Sequence, residues 1–245
     1  MIKKTSKTSE FDHFETLADE WWDPDGKFKI LHSLTPIRIK YIKKKLFGTK
    51  QLIKFSKKYL SNFNILDLGC GGGLVCEPLA RLGANMTGID FVKQNIITAK
   101  KHAKELNADI EYFHQNLNNL KLKKQYDAVL ILEVLEHIED WKKTIKNIKK
   151  LLKPGGKIII STINRNIFSK LFAIFIAENI LKWVPKKTHT YYKLIKPEEL
   201  TSFLNKNKIK VIDLTGLIFN PLSGQWILDK NNCLINYFCT AIKSN

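Results

Sequence analysis

Residues 64–74 read NILDLGCGGGL, a short apolar run that leads directly into a loop with four glycines. Glycine lets the backbone turn tightly and lets a neighbouring group approach it closely. The dinucleotide fingerprint G-x-G-x-x-G fails here, because Leu74 occupies the place of its third glycine. Asp67 stands two residues ahead of Gly69, where its charge would repel a pyrophosphate and suit a ligand with an ammonium or sulfonium group.

Outward from this loop, short apolar runs alternate with helical patterns. The runs are Ile65–Leu68, Met86–Ile89, Ile110–Phe113, Ala128–Leu132 and Lys157–Thr162, and the helical patterns lie near residues 74–83, 93–106 and 139–152. This alternation predicts βαβ units with right-handed crossovers and a parallel sheet. In such sheets ligands bind beyond the carboxyl ends of the strands, so we expect the chemistry there.

The two ends of the chain have other patterns. The first predicted helix carries Phe11, Phe14, Ala18, Trp21 and Trp22 on one face, and residues 23–26, DPDG, end it. A second helix is predicted after Thr35, with Pro36 at its first position. The tryptophans are either core residues or an aromatic lid over a pocket. Beyond residue 190 the pattern predicts a helix near Pro197–Asn205 and strands at Ile209–Leu214 and Leu234–Ala241.

Composition and net charge indicate one folded domain and limit the kinds of partner that it is expected to bind. With 245 residues and 44% hydrophobic content, the chain can fill one folded domain. Its 41 basic and 23 acidic residues leave a net charge of +18, and only Arg38, Arg81 and Arg165 are arginines. Lysine in such excess favours solvated faces, with an anionic membrane surface or nucleic acid as the alternatives. Nucleic-acid readers favour arginine, so we expect no nucleic-acid partner.

The cysteines and the apolar segments bear on the compartment. Four cysteines without a CxxC pair predict no zinc site and a reducing cytoplasm. The N-terminus has no apolar stretch of the secretory type. The apolar segment 167–184 contains Lys170, Glu178 and Lys182, so it is not expected to span a membrane. It either packs into the domain or rests on an anionic bilayer.

Asp90 closes the second apolar run, about 20 residues after the glycine loop. An acid at this place accepts hydrogen bonds from the two hydroxyls of a ribose; the alternative is an Asp that caps the next helix. With Asp67 and Gly69, Gly71 and Gly73, it predicts a pocket for a nucleoside with a positively charged tail. S-adenosylmethionine fits that description, and a dinucleotide does not.

Glu133, Glu136 and His137 follow the fourth run at a spacing that one helical turn brings together. Two carboxylates and an imidazole are candidate ligands for Mg²⁺. A bound cation and a nearby histidine would favour the phenolate form of a phenol, which is the nucleophile that methyl transfer needs. The alternative is a solvated first turn whose acids suit the helix dipole.

Five segments of the chain resemble the ubiquinone-biosynthesis O-methyltransferase family. They are FDHFETLADEWWDPDGKFKILHSLTPIRIKYI (11–42), ILDLGCGGGLVCEPLARLGANMTGID (65–90), LEVLEHIED (132–140), LLKPGGKIIISTINRN (151–166) and TGLIFNPL (215–222). The resemblance extends from about Phe11 to Tyr237. It implies a Rossmann-like class I methyltransferase of the α/β class, with a doubly wound, mostly parallel seven-stranded sheet. It also implies a single domain with a helical cap (1–60), a cofactor-binding core (61–164), an apolar helical insertion after the fifth strand (165–190) and a C-terminal part of the sheet (191–245).

The resemblance also implies roles for individual residues. Arg38, Gly69, Asp90 and Leu132 match the positions that hold S-adenosylmethionine, with Arg38 on the methionine carboxylate and Leu132 against the adenosyl group. Glu133, Glu136 and His137 match the family's candidate Mg²⁺ ligands. The implied substrates are 2-polyprenyl-6-hydroxyphenol and 3-demethylubiquinol. Peripheral contact with an anionic inner membrane, through segment 167–184, and other enzymes of the pathway as partners follow from the same resemblance.

The sequence differs from the family pattern at two places, and two alternative functions remain open. Asn116 and Asn118 lie where relatives carry an acid near the adenine, and Phe219 replaces a Tyr or His of relatives. A nucleic-acid methyltransferase would share the cofactor fold, but it would carry an Asn/Asp-Pro-Pro-aromatic tetrad where residues 133–136 read EVLE. A non-catalytic scaffold would keep the fold without needing Asp67 or Asp90.

Overall fold

The protein is described by a computed structural model, which covers residues 17–47, 60–169, 189–220 and 223–244. Phe11 and Phe14 of the first predicted helix lie outside these ranges, as do residues 170–188 of the apolar insertion. Eight strands and six α-helices lie wholly within the described ranges. The strands are β1 (Asn64–Leu68), β2 (Asn85–Asp90), β3 (Ile110–His114), β4 (Tyr126–Leu132), β5 (Leu152–Ile163), β6 (Ile209–Asn220), β7 (Gln225–Asp229) and β8 (Asn236–Lys243).

The helices alternate with the strands in the first half of the sheet. They are α1 (Lys29–Phe47), α2 (Cys76–Arg81), α3 (Lys93–Glu105), α4 (Trp141–Leu151), α5 (His189–Lys193) and α6 (Pro197–Lys206), with 3₁₀ turns at Ala18–Glu20 and Leu135–His137. The strand order is β3-β2-β1-β4-β5-β8-β6-β7. Strands β1 to β5 pair in parallel, whereas β8 is antiparallel to both β5 and β6. The predicted doubly wound, mostly parallel sheet is confirmed.

Residues of β1 alternate between two apolar layers, one on each face of the sheet. Ile65 packs with Leu34, Tyr41 and Leu79, so α1, α2 and α3 cover one face. Leu66 packs with Ile145, Ile148, Leu200 and Leu204, so α4 and α6 cover the other. Because the central strands are buried on both faces, their apolar runs are nearly continuous and easy to find in the sequence.

Two predicted features of the fold are wrong. The sheet has eight strands rather than seven, because β6 extends to Asn220 and turns back as β7 at the edge of the sheet. The second helix begins at Lys29, so Pro36 lies inside α1 and not at its first position. A proline inside a helix removes one hydrogen bond. Leu34, Arg38 and Tyr41 on both sides of Pro36 are buried against the sheet, and this burial explains why the helix continues.

The first predicted helix is represented in the described residues only by the 3₁₀ turn Ala18–Glu20. This turn, Trp21 and Phe28 form a small apolar cluster with Leu74 of the glycine loop. The cluster places the N-terminal residues over the carboxyl ends of β1 and β2. We call residues 17–38, which include this turn and the start of α1, the cap.

Candidate active site

A cavity of about 530 Å³ lies between the cap and the carboxyl ends of β1, β2 and β4. This size is within the range of small-molecule sites, which hold a few polar groups among apolar ones. Its walls include most of the residues that the sequence singles out: Arg38, Asp67, Gly69, Gly71, Asp90, Leu132, Glu133 and His137. The rule that ligands bind beyond the strand ends therefore located the cavity correctly.

The glycine loop packs directly against the ring of Trp21, a contact that the sequence analysis did not predict. A Cβ atom on Gly72 would lie 2.5 Å from Cβ of Trp21, and one on Gly71 would overlap the far edge of the same indole. Gly71 also has a φ of +53°, a conformation that side-chain-bearing residues rarely adopt. These two glycines are therefore required by the cap itself, in addition to any role towards a ligand.

Each tryptophan of the cap makes a specific contact with the core. Trp21 is 7% exposed, stacks on Phe28 with ring centroids 3.9 Å apart and donates from Nε1 to Oδ1 of Asn95 at 2.8 Å. Trp22 donates from Nε1 to the carbonyl oxygen of Gly72 at 3.0 Å and stacks on His102 at 3.5 Å. Trp21 packs in an apolar cluster with Leu74 and also lines the cavity, so core packing is confirmed for it, and a mobile aromatic lid stays a prediction.

Asp90 lies at the end of β2 and is 4% exposed. Its Oδ2 accepts from the backbone N–H of Gly71 at 2.9 Å. Its Oδ1 accepts from the N–H of Val92 at 2.8 Å and from Nδ2 of Asn95 at 3.3 Å. Burial raises the pKa of this carboxyl, and the three donors oppose that effect. Asp90 therefore holds the glycine loop and the start of α3 as well as lining the cavity.

Asp67 is 3% exposed on β1 and receives a hydrogen bond from Sγ of Cys76 at 3.3 Å. Burial raises the pKa of its carboxyl to about 6, an effect that Cys76 and Arg38 oppose and the nearby Asp90 reinforces. A carboxylate that is costly to keep charged gains from a cationic ligand placed beside it. Its position in the wall agrees with the role predicted for it.

Arg38 projects from α1 into the same cavity, and only 4% of it is exposed. Its Nη2 lies 3.6 Å from Oε1 of Glu133, while Nε and Nη2 have no hydrogen-bond partner among the described residues. Burial lowers the pKa of the guanidinium, and Glu133, Asp67 and Glu136 favour its charged form. Buried donors without a partner in a cavity wall are suited to an anionic group of a ligand.

Glu133 is held in an uncommon backbone conformation, with a φ of +57°. Ser161 at the end of β5 accepts from the N–H of Glu133 through its carbonyl oxygen at 2.9 Å. The Ser161 hydroxyl also donates to Oε1 of Glu133 at 2.8 Å. These two bonds direct the carboxylate towards Arg38. Sequence reasoning missed Ser161, although it lies in the STINRN segment quoted above.

Glu136 and His137 lie in the 3₁₀ turn that follows β4, as the spacing predicted. Glu136 is 6% exposed and accepts from Oγ1 of Thr162 at 2.8 Å. Burial and repulsion from Glu133 raise the pKa of the Glu136 carboxyl. His137 and the hydrogen bond from Thr162 act in the opposite direction and lower this pKa. His137 lines the cavity, and Glu136 is not among the residues of its wall.

The predicted Mg²⁺ ligands do not fit a metal centre in this arrangement. Glu133 is engaged by Ser161 and Arg38, and Glu136 by Thr162. Within the described ranges, no three His, Cys, Asp or Glu side chains are grouped so as to hold a metal ion. We therefore derive no step through Mg²⁺, and the ligand role of these residues stays a prediction.

The remaining predicted positions divide into two groups. Asn116 and Asn118, after β3, line the cavity beside Leu117, so amides are available on that wall in place of the acid of relatives. Phe219 lies on β6 opposite Trp226 of β7, is 43% exposed and is not part of the cavity wall. Gly73 is also outside the wall.

Comparisons with known proteins identify a methyltransferase domain in this chain. A family profile described as "Methyltransferase domain" matches residues 66–160, which contain the glycine loop, Asp90 and the Glu133–His137 turn. The crystal structure of magnesium protoporphyrin IX methyltransferase from Synechocystis PCC 6803, with bound S-adenosylhomocysteine, superposes with a TM-score of 0.65 at 18% identity. It covers 98% of this chain and 100% of that one. The N-methyltransferase NodS from Bradyrhizobium japonicum WM9 superposes with a TM-score of 0.62 at 16% identity, with the same coverage. These likenesses show the methyltransferase fold.

Similarity in sequence is more specific than similarity in structure. The ubiquinone biosynthesis O-methyltransferase of Pelagibacter ubique is 44% identical over 235 residues, which are 96% of this chain and 97% of that protein. The protein of the same name from Bartonella tribocorum is 43% identical over 248 aligned positions and covers both chains fully. Together with the cavity at the strand ends, this similarity leads to one conclusion: the chain belongs to the ubiquinone biosynthesis O-methyltransferase family.

Proposed function

We propose that this protein transfers a methyl group from S-adenosylmethionine to a phenolic hydroxyl of polyprenylated ubiquinone precursors. The observation that carries the proposal is the meeting of Asp67, Asp90 and Arg38 in the wall of one cavity. S-adenosylmethionine has a sulfonium, a ribose and a carboxylate, and these three residues are complementary to them. Leu132 and the amides of Asn116 and Asn118 are proposed for the adenosyl group.

The reaction requires a deprotonated acceptor aligned with the methyl group. The phenolate oxygen forms a bond to the methyl carbon while the bond from that carbon to sulfur breaks, and S-adenosylhomocysteine leaves. Most of the rate gain in such a transfer comes from holding the reacting atoms close and in line. We propose His137, in the cavity wall, as the base that takes the phenol proton. The carboxylate of Glu136 lies close enough to His137 for the charges of the two groups to interact.

The experiment is incubation of the purified protein with methyl-labelled cofactor and 2-prenyl-6-hydroxyphenol or 3-demethylubiquinol carrying a short tail. We expect label in the methyl ether of both. His137→Gln should lower kcat by about a hundredfold or more, because general-base catalysis contributes about 10²–10⁴-fold. Asp90→Ala should weaken cofactor binding instead. Absence of label in either phenol with the wild-type protein would refute the proposed substrates.

The Mg²⁺ prediction is tested in the same assay. Glu136→Ala should lower turnover while leaving cofactor affinity unchanged, whether Glu136 acts on the metal or on His137. The wild-type protein is then assayed after exhaustive chelation, with and without added Mg²⁺. Activity that depends on Mg²⁺ would support the ligand role, and equal activity in both arms would exclude it.

Peripheral contact with an anionic membrane is a further part of the proposal. It is supported by Ile167 and Phe168, which are the first two residues of the apolar segment and are 68% and 54% exposed, and by the net charge of +18. Among the described helices, none is long and apolar enough to cross a bilayer. Sedimentation with vesicles of neutral lipid, and with vesicles containing anionic lipid, tests it. Equal pelleting by both would exclude the electrostatic contribution.

A further inference from the structure

Asn95 lies in the first turn of α3 and connects the cap to Asp90. Only 3% of the residue is exposed. Its Oδ1 accepts from Nε1 of Trp21 at 2.8 Å, and its Nδ2 donates to Oδ1 of Asp90 at 3.3 Å. One buried amide therefore receives a hydrogen bond from the cap and gives one to the carboxylate in the cavity wall.

The hydrogen bonds of Asn95 with Trp21 and with Asp90 depend on each other, because the two ends of the side-chain amide have different hydrogen-bonding properties. The carbonyl end can only accept, and the NH₂ end can only donate. The indole N–H of Trp21 therefore selects the rotation of the Asn95 amide that directs Nδ2 towards Asp90. When the cap moves away, Oδ1 of Asn95 loses its partner, and the orientation of the amide is then held by its donor bond to Asp90 without the support of Trp21.

Trp21 also lies directly against the loop that Asp90 holds. Its ring packs on Gly71 and Gly72, and Oδ2 of Asp90 accepts from the N–H of Gly71. The cap is therefore connected to Asp90 in two ways. One connection is the packing of Trp21 on the glycine loop, whose Gly71 N–H donates to Asp90, and the other is the pair of hydrogen bonds made by the Asn95 amide. The second connection is the one that a single side chain controls.

We propose that Asn95 is a positioning residue that couples closure of the cap to cofactor binding by orienting Asp90. The inference rests on the proposed function, in which Asp90 accepts hydrogen bonds from the ribose. With the cap in place, Asn95 and the two backbone donors fix both oxygens of Asp90 for the ribose hydroxyls. Displacement of the cap therefore weakens cofactor binding through Asp90, in addition to the loss of the proposed contact between Arg38 and the cofactor carboxylate.

The test is a double-mutant cycle of Trp21→Phe and Asn95→Leu in the full chain. Trp21→Phe keeps an aromatic ring beside Gly72 and removes the N–H donor, together with the outer part of the indole that lies against Gly71. Each single variant should raise the Kd and the KM for S-adenosylmethionine by about threefold to tenfold, the value of one hydrogen bond. The kcat at saturating cofactor should stay within about twofold, and the double variant should be no weaker than the weaker single one.

Trp226→Phe is the matched control, because Trp226 donates its indole N–H to Oγ of Ser33 on α1 at 3.0 Å and lies outside the cavity wall. We expect its Kd to equal that of the wild type. Additive losses in the double variant, a lower kcat with unchanged KM, or a Trp21→Phe effect no larger than that of Trp226→Phe would each overturn the inference. If Asp90→Ala leaves cofactor affinity unchanged, the proposed function fails as well; if only Asp90→Ala weakens binding, the Asn95 role alone fails.

Discussion

The guanidinium of Arg38 lies 3.6 Å from the carboxylate of Glu133, across the cavity that separates the cap from the sheet. Arg38 belongs to α1, and Glu133 follows β4. The contact places one cation among Glu133, Glu136 and Asp67, whose charges favour its protonated form. It also leaves Nε of Arg38 buried without a partner among the described residues, which is the basis of the first prediction.

Arg38→Met should weaken binding of S-adenosylmethionine by about tenfold to a hundredfold, since a hydrogen bond to a charged group contributes about 1.5–3 kcal/mol. Calorimetric titration measures the Kd. Decarboxylated S-adenosylmethionine is the matched probe, because it lacks the group that Arg38 is proposed to bind. Wild type and variant should bind this analogue with similar affinity, and an equal loss for both ligands would contradict the carboxylate role.

Gly72→Ala should lower the free energy of unfolding by about 1–3 kcal/mol, the usual cost of forcing an extra methyl group into a packed site. The new Cβ would lie 2.5 Å from Cβ and Cγ of Trp21. The prediction is checked by urea denaturation of the variant alone and in a Trp21→Gly background, which removes the Cβ of residue 21 as well as the indole. The cost should largely disappear when the indole is absent. An unchanged cost would mean that the loop requires Gly72 for a reason other than the cap.

Asp67 should make stability depend on pH. Burial raises the pKa of its carboxyl in the folded state to about 6, above the ordinary value of 3.8. The folded protein then binds the proton more tightly than the unfolded chain, so this contribution is fully present below about pH 4 and is lost as the pH rises through about 6. The loss amounts to at most about 3 kcal/mol, at 1.36 kcal/mol for each unit of pKa.

The free energy of unfolding, measured between pH 4 and pH 8 without cofactor, checks this dependence. Asp67→Asn cannot titrate, so its curve should lack the decline that the wild type shows across that range. Parallel curves for the wild type and Asp67→Asn would show that Asp67 has an ordinary pKa.

His102→Ala should destabilise the protein by about 1–3 kcal/mol, because it leaves a buried acceptor without its partner. Nδ1 of His102 lies 2.7 Å from Oε1 of Glu77, a side chain that is 1% exposed and whose pKa is raised by burial. The variant also removes the ring on which Trp22 stacks. Chemical denaturation measures the loss.

Glu77→Met provides the companion measurement. The double variant His102→Ala/Glu77→Met has no buried carboxylate to satisfy, so it should be more stable than His102→Ala alone. A double variant that is less stable than either single variant would show that the apolar stack on Trp22, and not the Glu77 pair, is the main contribution of His102.

The local patterns of the sequence sufficed for the central sheet, because β1 and β4 are mostly apolar, β2 is buried in all but its first residue, and each strand leads into chemically distinctive residues. They failed at the edge of the sheet. Strand β7 alternates exposed and half-buried residues and is stabilised by pairing with β6, so its own composition is a weak signal. They failed again at Pro36, where burial of the helix face on both sides overrides the local preference of proline.

The sequence by itself determined that Asp67, the glycine loop, Asp90 and the Glu133–His137 turn meet at one end of a parallel sheet. This follows from chain order alone, since parallel strands end on the same edge. Only the tertiary structure decided which distant groups join them: Trp21 on the glycines, Asn95 on Asp90, and Arg38 and Ser161 on Glu133. Such contacts connect elements far apart in the chain, and their partners are selected by packing and by the matching of buried donors with acceptors, which no local pattern contains.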